Sequence, residues 1–513
     1  MAKHLVTHEN AGLTRREQRA LRRTLAGVLT PDEDTAPQEA ADLPASGLRA
    51  PAFGQYWALP VGRPAHRMTG YQLAAANPFS AADMYEPAGP VIGIERLSGG
   101  AAFTFDPWLL YLQALVTSPN LLVEGSLRQG KSFIIKRLIA LLTAFGRYAI
   151  NTSDSKSEHG SLALALGGAV FRMGQFGSPI RVNPLEAGEP RALRADDGSS
   201  RVETEQEWLA RVRAARVSVL QQIAGLLTPG ERAVTARETG ILEWTLGEVV
   251  TDTGNRPTIR GVFEKLTSPD FGRAYGGYFR AEDAHDLIDG LRRLVTGDLA
   301  GIFDTHSSVR LDPESPYTVI DTSLIGQRGS GALAVTQAVT NAWVGATISN
   351  KGAQRQYFLI REEGWRDMKT AAALEAHQEQ LKLSGEFGIA MVLIVHEDGD
   401  FDSVGAEGSK ERELARSLLR GYANRICFNQ PASVLRNAVA EGTYTEAEAR
   451  AIATLSRGQF LVKLKHRSYV VDGTPTTTGW ERRLFDTDRQ MRATNTETEQ
   501  TDMGTVAAAG SQG

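Results

Sequence analysis

Residues 120–133 read NLLVEGSLRQGKSF, and they form the strongest structural signal in the chain. Asn120–Glu124 is a short apolar run typical of a buried strand, and the residues from Lys131 to Phe145 have helical spacing. Between them, Gly125–Ser132 matches the pattern G-x-x-x-x-G-K-[ST] of a phosphate-binding loop, the Walker A motif. Because a strand precedes the pattern and a helix follows it, we interpret it as a phosphate loop and not as a chance glycine turn.

The residues of this loop each have a chemical reason to be there. Gly125 and Gly130 let the backbone curl so that its N–H groups converge on phosphate oxygens, and the helix N-terminus adds partial positive charge. We expect Lys131 to reach the β- and γ-phosphates and the hydroxyl of Ser132 to ligate Mg²⁺. The predicted nucleotide-binding residues are Gly125, Ser126, Leu127, Arg128, Gln129, Gly130, Lys131, Ser132 and Phe133. The sequence therefore predicts ATP and Mg²⁺ as ligands.

Hydrolysis of ATP also needs acidic residues at the end of a strand, and residues 357–365, YFLIREEGW, supply them. The apolar run predicts a buried strand, and two carboxylates emerge where the strand becomes a loop. We expect Glu362 to hold Mg²⁺ and Glu363 to polarise the attacking water. The alternative is an acidic helix start, because glutamate is favoured in a first turn.

Strand-like runs alternate with helical stretches along most of the chain, which predicts an α/β fold with a mostly parallel sheet flanked by helices. Helical spacing predominates between the phosphate loop and the acidic strand, so we expect an all-α insertion there. The predicted segments are a disordered basic and Pro/Ala-rich tail (1–50), a lead-in segment (51–119), the α/β domain (120–202 and 310–488), the all-α insertion (203–309) and a disordered tail (489–513).

Composition excludes several classes of protein. The 513 residues include 1 cysteine, which excludes a disulfide scaffold and a Cys-rich zinc module. A net charge of −4 gives no global electrostatic attraction to nucleic acid, although a local basic channel is compatible with it. No apolar run approaches the ~18 residues of a membrane span. The first thirty residues carry charges throughout, unlike a secretory signal, so we expect a cytoplasmic protein.

Several motifs together resemble a known family. They are, in chain order, Gly125–Ser132, Asp154-x-Lys156-x-Glu158-His159, Asn183-Pro184-Leu185 and Glu362-Glu363-Gly364-Trp365. In this order they are similar to motifs of VirB4/TraC-type ATPases of conjugative type IV secretion systems, within the FtsK–HerA group of P-loop motors. The actinobacterial branch looks closest, because Gly93–Gly99 and Phe105–Pro107 resemble the segments that introduce its phosphate loop. The similarity covers residues 93–488.

The resemblance implies a RecA-like P-loop NTPase that hydrolyses ATP and assembles as a homo-hexamer. It implies other conjugation or secretion components at the inner membrane as partners, and DNA as a candidate substrate. Without a transmembrane segment of its own, such a motor is expected in the cytoplasm or docked at the inner face of the cell membrane.

The resemblance also assigns further site residues. Asp154 and Glu158 lie near the nucleotide in such motors, although a charged helix start would explain them equally well. His396 stands where this group carries a γ-phosphate sensor, commonly glutamine, and its alternative is a plain loop histidine. An arginine from the neighbouring subunit generally completes each site. Arg425 and Arg457 are the candidates, and a surface or ion-pair role is the alternative for each.

Two departures from the family keep other functions open. Glu362-Glu363 replaces the usual Asp-Glu pair, and Arg361 stands in a strand that is normally apolar. One alternative is a HerA/FtsK-like DNA translocase, which a basic central channel would favour. The other is a nucleotide-binding scaffold with little or no turnover. The two departures favour the scaffold slightly, whereas the intact phosphate loop and Glu363 oppose it.

Overall fold

The computed structural model describes most of the chain between residues 89 and 485. The residues described are 89–97, 100–175, 180–194, 200–228, 232–271, 281–348, 355–362, 374, 377–378, 381, 384–385, 388–395 and 409–485. The predicted tails, 1–50 and 489–513, lie outside these residues, as does the first part of the predicted lead-in segment, residues 51–88.

Eleven strands of the described chain form one sheet, and two further strands form a separate hairpin. The strands are β1 (Val91–Glu95), β2 (Ala102–Thr104), β3 (Leu121–Glu124), β4 (Tyr148–Asp154), β5 (Ala169–Arg172), β6 (Ala192–Arg194), β7 (Ser200–Val202), β8 (Tyr317–Asp321), β9 (Tyr357–Glu362), β10 (Ile389–Ile394), β11 (Asn424–Cys427), β12 (Gln459–Leu464) and β13 (Arg467–Asp472). The order across the large sheet is β2-β1-β13-β12-β11-β3-β10-β9-β4-β8-β5. Neighbours from β11 to β5 are parallel, whereas β12, β13, β1 and β2 are added antiparallel.

Helices cover both faces of this sheet. They are α1 (Pro107–Leu112), α2 (Lys131–Ala144), α3 (Gly160–Ala165), α4 (Glu205–Leu227), α5 (Ala236–Asp252), α6 (Ile259–Leu266), α7 (His285–Val295), α8 (Ser323–Gly326), α9 (Ser330–Ile348), α10 (Lys410–Arg420), α11 (Ala432–Ala440), α12 (Glu446–Ala453) and α13 (Gly479–Phe485), with 3₁₀ turns at Ala281–Ala284 and Thr474–Thr476. Along β9, Ile360 lies in the core beneath α2, and Leu359 lies in the core beneath α4 and α9. This burial on both faces explains the continuous apolar run of the strand. Within the described part of the chain, no helix combines the length and the apolar character that crossing a bilayer requires.

The parallel strands all end at one edge of the sheet, which positions the predicted motifs together. β3 runs directly into the phosphate loop and α2, and β10 lies between β3 and β9. Ligands of open parallel sheets bind at the carboxyl ends of the strands. The fold therefore brings the phosphate loop and the acidic strand end to the edge where such ligands bind.

Helices α4 to α7 lie between β5 and β8, within the region predicted as an all-α insertion. Thr204 and Thr235 begin α4 and α5 with capping boxes, in which each threonine side chain accepts from the backbone N–H of the glutamate three residues later, Glu207 or Glu238. The glutamate side chain accepts from the backbone N–H of the threonine in return, so two helix-end donors are satisfied at each start. Helix α4 packs against α9, so the helical block shares its core with one face of the sheet.

Candidate nucleotide site

The phosphate loop has a backbone that its residue types permit. Gly125 and Gly130 have φ angles of 145° and 112°, and Arg128 has a φ of 61°. A Cβ atom on Gly125 would lie 2.6 Å from the Cβ of Phe428, so only glycine fits there. No side chain of the described residues caps α2 at Gly130, which leaves the first N–H groups of the helix for phosphate oxygens.

The loop rests on the segment that follows β11. The backbone N–H of Ser126 donates to the carbonyl of Asn429 at 3.1 Å. The side-chain amide of Asn429 in turn donates to three carbonyl oxygens at the end of α12, at 3.0 to 3.3 Å. Asn429 therefore joins the N–H of Ser126 in the phosphate loop to the end of α12.

Lys131 lies where a phosphate-binding lysine is needed. Its side chain is 6% exposed. The ammonium group donates to the carbonyl oxygens of Gly125 and Ser126, the latter at 2.8 Å. Ser132 follows it in the first turn of α2 and is partly exposed. The two side chains to which the sequence assigns phosphate and metal binding thus stand side by side at the start of the helix.

The strand register fixes how far the acidic strand lies from this loop. Val123 of β3 is level with Ile394 of β10, and Ile394 is level with Glu362 of β9. Because neighbouring strands are ~4.8 Å apart, Glu362 lies about 10 Å across the sheet from the strand that carries the phosphate loop. The phosphate loop and Glu362 therefore flank the end of β10 at the same edge of the sheet.

Glu362 is 6% exposed and is held by a buried histidine. Its Oε1 lies 2.7 Å from Nε2 of His159, and Nδ1 of His159 lies 2.7 Å from the hydroxyl of Tyr317. Burial alone would raise the pKa of Glu362. Attraction to His159, the hydrogen bond from it, and attraction to Lys156 and Lys136 outweigh burial, so the pKa lies below its ordinary value. The carboxylate is therefore charged at neutral pH, as a metal ligand must be.

Asp154 ends β4 and shapes the turn that carries this histidine. It is fully buried, and its carboxylate accepts from the backbone N–H groups of Glu158 at 3.0 Å and His159 at 2.8 Å. Burial raises the pKa of Asp154, and attraction to His159 opposes that shift. Glu158 lies 3.5 Å from the ammonium group of Lys136, a fully buried residue of α2. Asp154 and Glu158 thus connect β4 to the phosphate-loop helix, and a contact with nucleotide stays a prediction for both.

Two predicted catalytic residues, Glu363 and His396, lie outside the described residues. Their neighbours in sequence, Glu362 and Val395, are described, and the N–H of Val395 donates to the carbonyl of Val123 at 3.0 Å. The roles of Glu363 and His396 remain predictions.

The structure separates the two arginines that the sequence could not distinguish. Arg425 is 7% exposed, donates to the carbonyl of Leu419 at 2.7 Å and lies 3.7 Å from the carboxylate of Glu124. These contacts favour the ion-pair alternative for Arg425, and its role in the site of a neighbour stays a prediction. Arg457 is exposed in the turn between α12 and β12, and its role stays a prediction.

Sequence reasoning missed the groups that support the acidic strand end. His159 belongs to a motif that was singled out, but no role was assigned to it, and nothing near Tyr317 or Lys136 in the sequence marks either as part of a site. Tyr317 is fully buried in β8, and burial raises its pKa well above the ordinary value. The only available signal was the type of residue, an ionisable or hydroxyl group within an apolar strand or helix.

Comparison with solved structures supports the fold. The structure of VirB4 of Thermoanaerobacter pseudethanolicus matches with a TM-score of 0.61 and 20% sequence identity, over 78% of this chain and 100% of that chain. The bacterial conjugative coupling protein TrwB matches with a TM-score of 0.47 and 12% identity, over 79% of this chain and 92% of that chain. TrwB in complex with a non-hydrolysable ATP analogue matches with a TM-score of 0.48 and 14% identity, over 77% and 95%.

No protein-family model matches the sequence, and no curated protein matches it. The likeness to VirB4 confirms the predicted α/β P-loop fold and, at the level of the fold, the resemblance that the motifs indicated. The closer resemblance to the actinobacterial branch stays a prediction.

Proposed function

We propose that this chain is a P-loop ATPase motor that binds and hydrolyses ATP to energise conjugative DNA transfer or type IV secretion. One observation carries the proposal: a complete phosphate loop between β3 and α2 faces a buried, ionised glutamate two strands away, at the same edge of the sheet. The likeness of the fold to VirB4 supports the biological setting.

The residues of the site have distinct roles in this proposal. Lys131 pairs with the β- and γ-phosphates, and Ser132 and Glu362 hold Mg²⁺, directly or through water. Bound Mg²⁺ neutralises the charge that develops on the transferred phosphoryl group. Glu363 accepts the proton of the attacking water and His396 hydrogen-bonds the γ-phosphate. The donors fit the metal, because a hydroxyl and an ionised carboxylate are the oxygen ligands that Mg²⁺ prefers.

The proposed assembly is a homo-hexamer in the cytoplasm, docked to other secretion components at the inner face of the membrane. In such a ring Arg457, which is exposed, supplies the arginine that completes the site of the neighbour. DNA is the proposed substrate. A DNA translocase that acts on duplex DNA alone and a scaffold that binds ATP without turnover are the alternatives.

The test is the ATPase activity of the purified full-length chain, with and without Mg²⁺ and DNA, over a hundredfold range of protein concentration. We expect Mg²⁺-dependent turnover whose specific activity rises with concentration, because the site needs a neighbour. Lys131→Ala should abolish ATP binding and turnover while the protein stays folded. Glu363→Gln should keep ATP binding and lose about 10²–10⁴ in turnover.

Three outcomes would contradict the proposal in different ways. Unchanged ATP affinity in Lys131→Ala would reject the phosphate loop. ATP binding by the parent protein without turnover at any concentration would favour the scaffold. Turnover that rises steeply with duplex DNA alone, without other secretion components, would favour the DNA translocase.

A further inference from the structure

A row of three aromatic rings runs outward from the first turn of the phosphate-loop helix. Phe133 follows Ser132 directly, and its ring centroid lies 5.6 Å from that of Phe485 at an interplanar angle of 74°. The ring of Trp480 lies 5.5 Å from that of Phe485 at 78°. Phe485 and Trp480 both belong to α13, which packs on α2. The row therefore connects the phosphate loop to the surface.

Packing of the core explains the position of Phe485 but not that of Trp480. Phe485 is 1% exposed, whereas Trp480 is 45% exposed, although tryptophan has the largest side chain and gains most from burial. A perpendicular contact with Phe485 covers at most one of the two faces of the indole. A flat aromatic surface of Trp480 is thus presented to solvent, two ring contacts away from Phe133 of the phosphate-loop helix.

A buried arginine of α2 anchors the segment that carries Trp480. Arg137 donates from Nε to the carboxylate of Glu481 at 2.8 Å and from Nη2 to the carbonyl of Thr476 at 2.6 Å. Its Nη1 donates to the carbonyls of β1 and of the turn after β13, at 2.9 and 3.1 Å. Glu481 also accepts from the backbone N–H of Thr478 at 2.6 Å at the start of α13. Trp480 lies between two of these anchored residues, so its position is fixed before any ligand binds, which reduces the entropy lost on binding.

The strand order places this row on the side where a nucleobase has to lie. β11 is parallel to β3, β12 reverses direction and β13 reverses it again, so the chain leaves β13 at the same edge as the phosphate loop. Glu362 lies on the opposite side of β3 from β13. When the γ-phosphate points toward Glu362, the base, at the other end of the nucleotide, points toward α13.

We propose that Trp480, backed by Phe485 and Phe133, forms a stacking subsite for the base of the bound nucleoside triphosphate. This inference rests on the proposed function, since it assumes that the phosphate loop binds a triphosphate. Stacking on an aromatic ring strengthens binding and is available to every base, because each has a flat π-face. The subsite therefore adds affinity for a nucleoside over a bare phosphate chain.

The experiment compares a ligand that has a base with one that has none. Calorimetric titration of the full-length protein in Mg²⁺ measures the affinities for a non-hydrolysable ATP analogue and for inorganic tripolyphosphate. Trp480→Ala should weaken binding of the analogue about tenfold and leave binding of tripolyphosphate unchanged. Trp480→Leu, which keeps apolar bulk but has no flat ring, should behave like Trp480→Ala. Phe145→Ala removes a ring that is 55% exposed at the C-terminal end of α2, away from the phosphate loop, and should change neither affinity.

The outcomes separate the subsite from the function on which it rests. If Trp480→Ala or Trp480→Leu binds the ATP analogue as tightly as the parent does, or weakens both ligands equally, the subsite is overturned. Equal effects of Phe145→Ala and Trp480→Ala would overturn it too. If the parent protein binds neither ligand, or if Lys131→Ala still binds both as the parent does, the failure lies in the proposed function.

Discussion

Two buried histidines contact adjacent residues of the acidic strand β9, one from each face of the sheet. His159 contacts Glu362 on the face that α2 covers, and His377 contacts Arg361 on the opposite face. Each histidine uses its other ring nitrogen to contact a tyrosine hydroxyl, Tyr317 for the first and Tyr422 for the second. The two arrangements are alike in residue type and burial and differ in the sign of the charge that the histidine meets.

The sign of that charge sets the direction of the hydrogen bonds. A carboxylate only accepts, so His159 donates to Glu362. A guanidinium only donates, so Arg361 donates to Nδ1 of His377 at 2.6 Å, and His377 then donates from Nε2 to the hydroxyl of Tyr422 at 3.0 Å. Burial and the charge of Arg361 hold the pKa of His377 well below its ordinary value, so it stays neutral.

The difference shows what each face of the strand contributes. On the α2 face the histidine stabilises the charged form of a side chain that can bind metal. On the other face a neutral histidine accepts a hydrogen bond from a buried cation, which helps to explain how Arg361 is accommodated in a strand that the family pattern makes apolar. A site function and a structural function thus occupy neighbouring positions of one strand.

The largest expected effect comes from removing the charge of Glu362, and removing the charge of Arg361 serves as the matched comparison. Glu362→Gln should lower Mg²⁺-dependent turnover by about a hundredfold or more, because a neutral amide is a poor Mg²⁺ ligand. Arg361→Met, at the adjacent position, should leave turnover within about threefold of the parent value and act mainly on stability. Steady-state ATPase assays over a Mg²⁺ series measure both. Equal losses of turnover in the two variants would remove the distinction between the faces.

The tyrosine hydroxyls give a finer comparison. Tyr317→Phe and Tyr422→Phe each delete one hydroxyl and leave a buried histidine nitrogen without that partner, so each should lower the free energy of unfolding by about 1–3 kcal/mol. Only Tyr317→Phe should also raise the Mg²⁺ concentration needed for half-maximal turnover, since only its histidine orients a metal ligand. Urea unfolding and Mg²⁺ titrations test the pair. A shifted Mg²⁺ requirement in Tyr422→Phe would contradict the assignment.

The smallest expected effect is the pH dependence of stability from His377. Its pKa in the folded protein lies below the value of ~6.5 in an unfolded chain, so its contribution is present above that pH and is lost as the pH falls. Between pH 6.5 and 5.5 the parent protein should lose up to about 1 kcal/mol of unfolding free energy more than His377→Gln does. If the unfolding free energies of the two proteins fall in parallel over this pH range, the pKa of His377 is the same in the folded and unfolded chains, which would contradict the prediction.

The sequence predicted those parts of the molecule that local chemistry determines. The phosphate loop needs glycine, lysine and serine at fixed spacing, and the structure gives these residues the expected backbone between β3 and α2. Long apolar runs such as 357–360 and 389–395 became β9 and β10 with ends shifted by one or two residues. The unpredicted strands are short or partly exposed. β5 has four residues at the edge of the sheet, and β13 is mostly half-buried, so neither has a clear apolar pattern.

The supporting contacts of the site could not be predicted in this way, because they join distant parts of the chain. The partners of Glu362 and Arg361 come from three other segments, and no local spacing encodes them. The ion-pair alternative for Arg425 could not be chosen from the sequence for the same reason, because its partner, the carboxylate of Glu124, lies about 300 residues away in the chain.

The hydrogen bonds that Arg137 makes to the segment around α13 also affect the order in which the protein folds during synthesis. The guanidinium belongs to the phosphate-loop helix, yet its partners Thr476 and Glu481 are synthesised 339 and 344 residues later, and β13, which pairs with β1, is also synthesised long after its partner strand. Until then the growing chain carries an uncompensated charge in its future core and an unpaired strand edge, features that invite chaperone binding or aggregation. The phosphate-loop helix therefore has none of these partners until the segment around α13 has been synthesised, and a chain truncated before α13 never supplies Glu481 to Arg137.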